Sequence, residues 1–417
     1  MTEVATKRGR LVRTPESGAR LQEWGTVEAN ALRLDRDVTT ALVDALAVDH
    51  AGSFNLFYLL RKHYWTAEGA ELGQVASALK QMYRRVGDVT DELAFRIVEL
   101  GGIPPTTPAT IQEHAAVHLE AEDRYDLRAS LEGDRAAYAT LVESVREHVG
   151  LADRMGDSAT GERLSRHLEL LERDADRLDQ LLEADTLVRA EATDDVDAID
   201  TADVADNADT ADTGQTHSDG SKRTDTRAEH PSHLRRPDDT HLRQRWDTVV
   251  ENELRLDPRV AEELIRALNS DLSGLYILFN QVRKHYWTVE GAEWGHVDDF
   301  LVAAADRLSD VTDTLAIRVH ALGGVPVCGP KGVRQHAPLY IEDAHRYDVR
   351  SSVERDLDGY STLAVQFREH IELADRMRDQ ATGELLRSHS KTLEDDIRVL
   401  QSYLADDSLV RRDATHE

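Results

Sequence analysis

Two aspartates one helical turn apart occur twice in this chain, as Asp88 with Asp91 and again as Asp310 with Asp313. Each pair sits in a stretch of helical hydrophobic period, so both carboxylates project from one side of a helix, where an acidic solvent face competes with a functional role. Carboxylate oxygens joined by imidazoles form the usual ligand set for a first-row transition metal. Imidazoles stand nearby in the block RKHYWT at 61–66, repeated at 283–288, which supplies His63 and His285. Two readings stand for these histidines: a cation ligand, or a helix-end side chain that is hydrogen-bonded and favoured by the dipole. Glu68 and Glu71, with their mates Glu290 and Glu293, lie at the turn into the next helix, where a capping role competes with ligation. His114 with His336, His148 with His370, and His167 with His389 are further shared imidazoles.

Helices must position these groups. Leu72, Val75, Leu79, Met82, Val86, Val89, Leu93, Ile97 and Leu100 follow one apolar face, which predicts a helix of roughly 30 residues, about 45 Å long. Gly101-Gly102 with Pro104 beyond is a helix stop, and Gly323, Gly324 and Pro326 repeat it. The same period predicts helices over 38–64, 124–155 and 159–184, with a short one near 110–116 in the long loop after the second. No alternating strand pattern stands out. The expectation is all-α: four-helix bundles in which one connection runs the length of the bundle.

A constant shift of 222 positions aligns Trp24 with Trp246, Trp65 with Trp287 and Gly102 with Gly324 without a gap, and nearly half the aligned residues are identical. The chain therefore divides into a disordered tail (1–23), a first lobe (24–189), a linker (190–243), a second lobe (244–411) and a short tail (412–417). The linker is built of Ala, Thr and Asp, then Gly, Ser, His and Pro, a composition that cannot bury enough apolar surface to offset its ordering entropy. The net charge of −29, from 79 acidic and 50 mostly arginine basic residues, is that of a protein adapted to concentrated salt. It opposes duplex binding, which needs clustered cations and weakens with salt. The basic start, Lys7, Arg8, Arg10, Arg13 and Arg20, reads as a solvated tail, with a nucleic-acid arm as the alternative. One cysteine, Cys328, allows no intrachain disulfide, and no apolar run is long enough for a bilayer. A cytoplasmic, membrane-free protein is expected.

The motif order KHYWTAEGAE, DVTDELAFRIVELGGIPP, RYDLR and LEADTLVR resembles the Dps family of ferritin-like proteins, especially its haloarchaeal members, over essentially the whole of each lobe. The resemblance implies two ferritin-like bundles, a hollow shell of twelve subunits, and a peroxide-consuming Fe(II) site shared across a two-fold interface. Five positions carry over to each lobe: Tyr64, Ala76, Lys80, Asp91 and Phe95 in the first, and Tyr286, Asp298, Val302, Asp313 and Ile317 in the second. The resemblance draws each site's first three positions from one lobe and its last two from the other. One site would then hold Lys80 beside Asp313, and the other Tyr286, Asp298 and Asp91. Most ligand types are gone. The Glu-x-x-His pairing of di-iron bundles is also incomplete, since Glu293 and His296 match Glu71 and Gln74.

The sequence thus predicts a Dps-like protein related to iron handling and oxidative-stress protection, with its ferroxidase centre largely lost and a shell-forming or structural role. The alternative is a protective ferroxidase with a rearranged site drawn from His63, His285, Asp91, Asp298 and Asp313. DNA compaction is the third reading. The expected partner is the protein itself: lobes paired within a chain, and six chains making a twelve-lobed shell. The resemblance implies iron, although the residues present do not supply its usual ligands. The paired Arg124, Asp126 and Arg128, with Arg346, Asp348 and Arg350, read as an interface or helix-start charge network.

Overall fold

The computed structural model describes residues 19–69, 72–119, 122–183, 237–291, 294–339 and 342–405. The disorder expected for 1–18, 190–236 and 412–417 falls outside these residues, as do Glu71 and Glu293. Lobe 1 runs through α1 (Arg36–Thr66), α2 (Leu72–Glu99), α3 (Pro108–His114), α4 (Leu127–Met155) and α5 (Ser158–Leu182). Lobe 2 repeats the order in α6 (Pro258–Thr288), α7 (Trp294–Ala321), α8 (Pro330–His336), α9 (Val349–Arg376) and α10 (Gln380–Tyr403). The long connection from α2 to α4 carries the short helix, as the sequence predicts.

Helices α1 and α6 are buried around most of their circumference, including the polar run at 61–63 and 283–285. One side packs on the helix's own bundle and the other on the opposite lobe, which removes the solvent stripe a surface helix would keep. Helix α4 starts later than expected. Asp126 accepts from the Ala129 amide at 2.9 Å as its cap, and Asp348 does the same from Ser351 at 2.8 Å. Arg128 and Arg350 donate to the last carbonyls of the neighbouring bundle helix, Leu182 and Leu404, each at 3.1 Å.

Short strands, absent from the sequence expectation, tie the lobes together. β1 (Arg20–Gln22) precedes lobe 1 yet pairs antiparallel with β4 (Arg346–Tyr347) of lobe 2, while β3 (Leu242–Gln244) precedes lobe 2 and pairs with β2 (Arg124–Tyr125) of lobe 1. Residues 20–22 and 242–243, assigned above to the tail and linker, are therefore ordered. Strands this short have no hydrophobic period to read, and their hydrogen-bonding partners lie in the other copy.

The double-glycine stop is enforced by contact as well as by conformation. Gly101 has φ 90° and Gly323 has φ 88°. A Cβ on Gly101 would lie 2.4 Å from the Glu28 carbonyl oxygen, and one on Gly323 would lie 2.2 Å from that of Val250. The two glycine carbonyls in turn accept from the Glu28 and Val250 amides at 2.9 Å, anchoring the lead-in loop of each lobe. Gly101→Ala is expected to cost about 2 kcal/mol or more, lowering the thermal midpoint by roughly 4–8 °C. Calorimetry checks this, with Gly133→Ala as a control, because a Cβ at Gly133 meets nothing within 4 Å.

Candidate metal centre

The seam between the lobes is where the carried-over positions meet. Phe57 of α1 and its copy Phe279 of α6 stack on each other, with centroids 5.9 Å apart and planes 9° from parallel. Next to them Arg61, fully buried, lies over the rings of Phe57, Trp65 and Tyr83 at 5.1–5.4 Å. Its guanidinium reaches across the seam and donates to Asp313 from Nε at 3.1 Å and from Nη2 at 2.7 Å. Trp65 Nε1 donates to the same carboxylate at 2.8 Å, and the Tyr83 hydroxyl does so at 2.5 Å. Burial alone would raise the Asp313 pKa, but the Arg61 charge and these hydrogen bonds outweigh it and hold the carboxyl below the usual range.

The mirror site is built alike. Arg283 donates to Asp91 from Nε at 3.0 Å and again from Nη2, and Trp287 Nε1 adds a bond of 2.7 Å. No phenol contributes there, because Ala305 stands where lobe 1 has Tyr83. The Asp91 side chain keeps 28 % exposure against 6 % for Asp313, so only Asp91 retains solvent access. It borders a cleft of about 400 Å³ on the seam, lined also by Asp88, Asp306, Asp310 and Arg84. Burial and neighbouring carboxylates push Asp88 and Asp306 up.

The remaining predicted positions are aromatic, aliphatic or cationic. Tyr64 packs against Tyr83 with centroids 5.8 Å apart, and the Lys80 ammonium lies 5.5 Å from the centre of the Tyr64 ring. Ala76 is half-buried on α2. Across the other half of the seam Phe95 meets Tyr286 edge to face at 4.9 Å. Burial, then Asp91 and Asp298, push the Tyr286 phenol up to about 12. Asp298 is partly buried, and its Oδ1 has no hydrogen-bond partner among the described residues. Val302 lines the cleft, and Ile317 is 43 % exposed.

His63 and His285 are held inside the bundles. His63 Nδ1 bonds the Asp134 carboxylate at 2.8 Å. His285 Nδ1 bonds Asp356 at 2.9 Å, its Nε2 bonds Glu342 at 2.8 Å, and Glu342 also takes a short bond from the buried Lys284. Burial opposes charging of this imidazole, but the two carboxylates prevail and lift it to about 9, while Glu342 falls to about 2. These histidines are buried members of charge networks. Glu68 and Glu290, read above as caps, bind Arg124 at 2.6 Å and Arg346 respectively.

Among the described residues no group of three or more His, Cys, Asp or Glu side chains could hold a metal ion. Asp313 takes four hydrogen bonds spread over both oxygens and does not fit the carried-over metal centre, whereas the three bonds to Asp91 all fall on Oδ1. Sequence reasoning missed Arg61, Arg283 and Tyr83. The arginines begin each RKHYWT block, but their partners lie 252 and 192 residues away.

Two bundles of this kind define a ferritin-like protein, and the ferritin-like domain family matches residues 43–188 and again 265–410. The "DNA protection during starvation protein" of Halobacterium salinarum is 43 % identical over 161 residues, which is 39 % of this chain and 88 % of that protein. A "Nutrient stress-induced DNA-binding protein" of Synechococcus is 28 % identical over 170 residues, 41 % of this chain and 97 % of the relative. The crystal structure of an archaeal Dps homologue from Halobacterium salinarum aligns at 43 % identity, covering 41 % of this chain and 95 % of its own, with a TM-score of 0.40. The chain belongs to the Dps family, DNA protection during starvation, as a tandem duplication of haloarchaeal type.

Asp313→Asn would leave the Arg61 guanidinium buried without its counter-charge, a loss of about 3–5 kcal/mol. Because the folded-state pKa of Asp313 is depressed, its contribution is present above the unfolded value near 3.8 and is lost as pH falls through the folded one. Acid unfolding followed by circular dichroism should therefore begin at higher pH in the variant. His285 has the opposite sign. Its folded pKa is raised, so its contribution is full below about 6.5 and fades as pH climbs through about 9. His285→Gln should flatten the alkaline decline of the thermal midpoint over that window.

Proposed function

We propose that this protein is a stress-protection member of the Dps family that serves as a structural, shell-forming unit, and that its inter-lobe centre has exchanged iron oxidation for adhesion. The observation that carries this reading is the occupation of both retained acids. Asp91 and Asp313 each receive an arginine and an indole from the opposite lobe, so a cation would have to displace a buried guanidinium at Asp313 and compete with one at Asp91. Lys80, whose ammonium stands by Tyr64 at the Asp313 half-site, adds a positive charge that repels Fe(II).

The family resemblance supports a closed assembly in which two lobes of one chain replace a dimer and six chains supply twelve lobes. The expected native mass is that of six 46.7-kDa chains, measured by light scattering at high salt; a single-chain mass would exclude the shell. With peroxide as oxidant, Fe(II) oxidation by the purified protein should not exceed the protein-free rate. A fast stoichiometric reaction abolished by Asp91→Asn or Asp313→Asn would replace this reading with the ferroxidase one.

One observation favours a second reading, a weak asymmetric cation site at Tyr286, Asp298 and Asp91. The Asp298 Oδ1 is unpartnered among the described residues, and both acids act on the Tyr286 phenol. Calorimetric titration with Fe(II) or Co(II) distinguishes the two: binding lost on Asp298→Asn supports the site. For DNA, the chain's −29 charge opposes the reading carried by the relatives' names. A duplex retained on a gel at molar salt would support it.

A further inference from the structure

The seam departs from two-fold symmetry at positions where symmetry would matter most. Residues related by the 222-residue shift face each other where they lie on the pseudo-two-fold axis. Phe57 with Phe279 is one such pair, of like residues. The adjacent pair is unlike: Tyr58 donates from its hydroxyl to Asn280 Oδ1 at 2.7 Å, both residues are 1 % exposed, and the Tyr58 ring lies 4.3 Å from that of Tyr276. A large side chain on one lobe meets a small one on the other.

A second unlike contact lies off the axis. Helix α3 is capped within its own lobe by Thr107 and Thr110, which exchange backbone-to-side-chain hydrogen bonds. The matching positions before and in α8 are Gly329 and Gly332, and Gly329 offers no side-chain cap. Instead Glu122 of lobe 1 crosses the seam and accepts from the Gly332 amide at 2.6 Å. Glycine at 329 leaves room for this side chain, since a Cβ there would come 3.0 Å from Glu122. The position matching Glu122 in lobe 2 is Ala344, so the exchange runs one way.

We infer that the seam is complementary rather than self-complementary: lobe 1 fits lobe 2 and rejects a second copy of itself, and lobe 2 does likewise. Pairing two first lobes would set Tyr58 against Tyr58 in a space shaped for tyrosine and asparagine, and would drive Glu122 onto Thr107 and Thr110. Pairing two second lobes would set Asn280 against Asn280, leaving a void on the axis, and Ala344 against Gly332, leaving the start of α8 without a partner. Overpacking and cavities each destabilise a close-packed seam. Specificity here comes from unfavourable wrong pairs as much as from favourable right ones. The recognition surface of each lobe is thus matched to the other lobe and not to its own kind.

The test is reciprocal exchange in the full chain. Tyr58→Asn and Asn280→Tyr should each lower the thermal midpoint by about 4 °C or more. The double variant, which restores a tyrosine–asparagine pair in the opposite sense and seats the new ring against Phe54, should recover at least half of the summed loss. Single variants within 1 °C of the parent, or a double variant that loses the sum of both, would overturn the inference. If the single variants fail to fold and the double folds, the inference stands; if the double fails as well, it falls on the axis pair. Glu122→Ala supplies an independent measure by hydrogen exchange of a peptide covering 330–336. Release of the Gly332 amide should speed its exchange about tenfold or more, and an unchanged rate would remove the one-way cap from the argument.

Discussion

The buried guanidinium-to-carboxylate pair across the seam is the constraint on which the rest of this molecule depends. An arginine at 1 % exposure is tolerable only when its charge is met and its donors are satisfied. Asp313 and the Ser309 carbonyl meet those demands for Arg61, and both belong to the other lobe. Asp91 and the Gly87 carbonyl do the same for Arg283. Neither lobe can separate from the other without exposing an unpaired charge of its own and an orphaned acid on its neighbour. Aromatic rings lie over each guanidinium, and the Arg61–Asp313 pair is shielded from water while Asp91 keeps an open edge on the cleft. The cross-lobe pairs thus give both acids a structural role.

That constraint also orders the other parts. Helices α1 and α6 carry the arginines and are buried over most of their surface, between their own bundle and the opposite lobe. The acids ride on α2 and α7, whose far ends are fixed by the double-glycine stop. A shift of those helices along their axes would misplace the carboxylates, and the Glu28 and Val250 loops clamp the stop in place. The lobe interiors are polar at matching depths, through Asp49 with His148 and Asp271 with His370, so each bundle has its own ionic centre apart from the shared one.

Much of the fold was legible in the sequence. Spacings of three and four along 72–100, with Gly101-Gly102 and Pro104 after it, locate α2 to within a residue at each end, and the duplication transfers that result to α7. The strands were not legible, because two or three residues carry no period and RYDLR reads as the start of a helix. Its Asp126 does start one; the arginine and tyrosine before it belong to a strand whose partner is in the other lobe. For the site, the residue types at Ala76, Lys80, Phe95, Val302 and Ile317 could be read directly. The contacts across the seam could not. Arg61 looks like an ordinary basic residue beside Lys62, and only the pairing of two copies reveals its partner. The buried network of Lys284, His285, Glu342 and Asp356 was equally hidden, since adjacent charges on a helix suggest solvent.

The crossed strands have a consequence for how the chain comes into being. β2 is complete once residue 125 has been made, but its partner β3 is more than a hundred residues later, at Leu242–Gln244. Lobe 1 therefore leaves the ribosome with an unpaired strand edge and an uncovered face bearing Phe57, Tyr58 and Arg61. In a separate-subunit arrangement that face would wait for another molecule, exposed to every apolar and acidic surface nearby. Here the missing half arrives on the same polypeptide, at an effective concentration fixed by the connecting segment rather than by expression level. Fusion of the two copies thus turns an encounter between molecules into the final stage of making one.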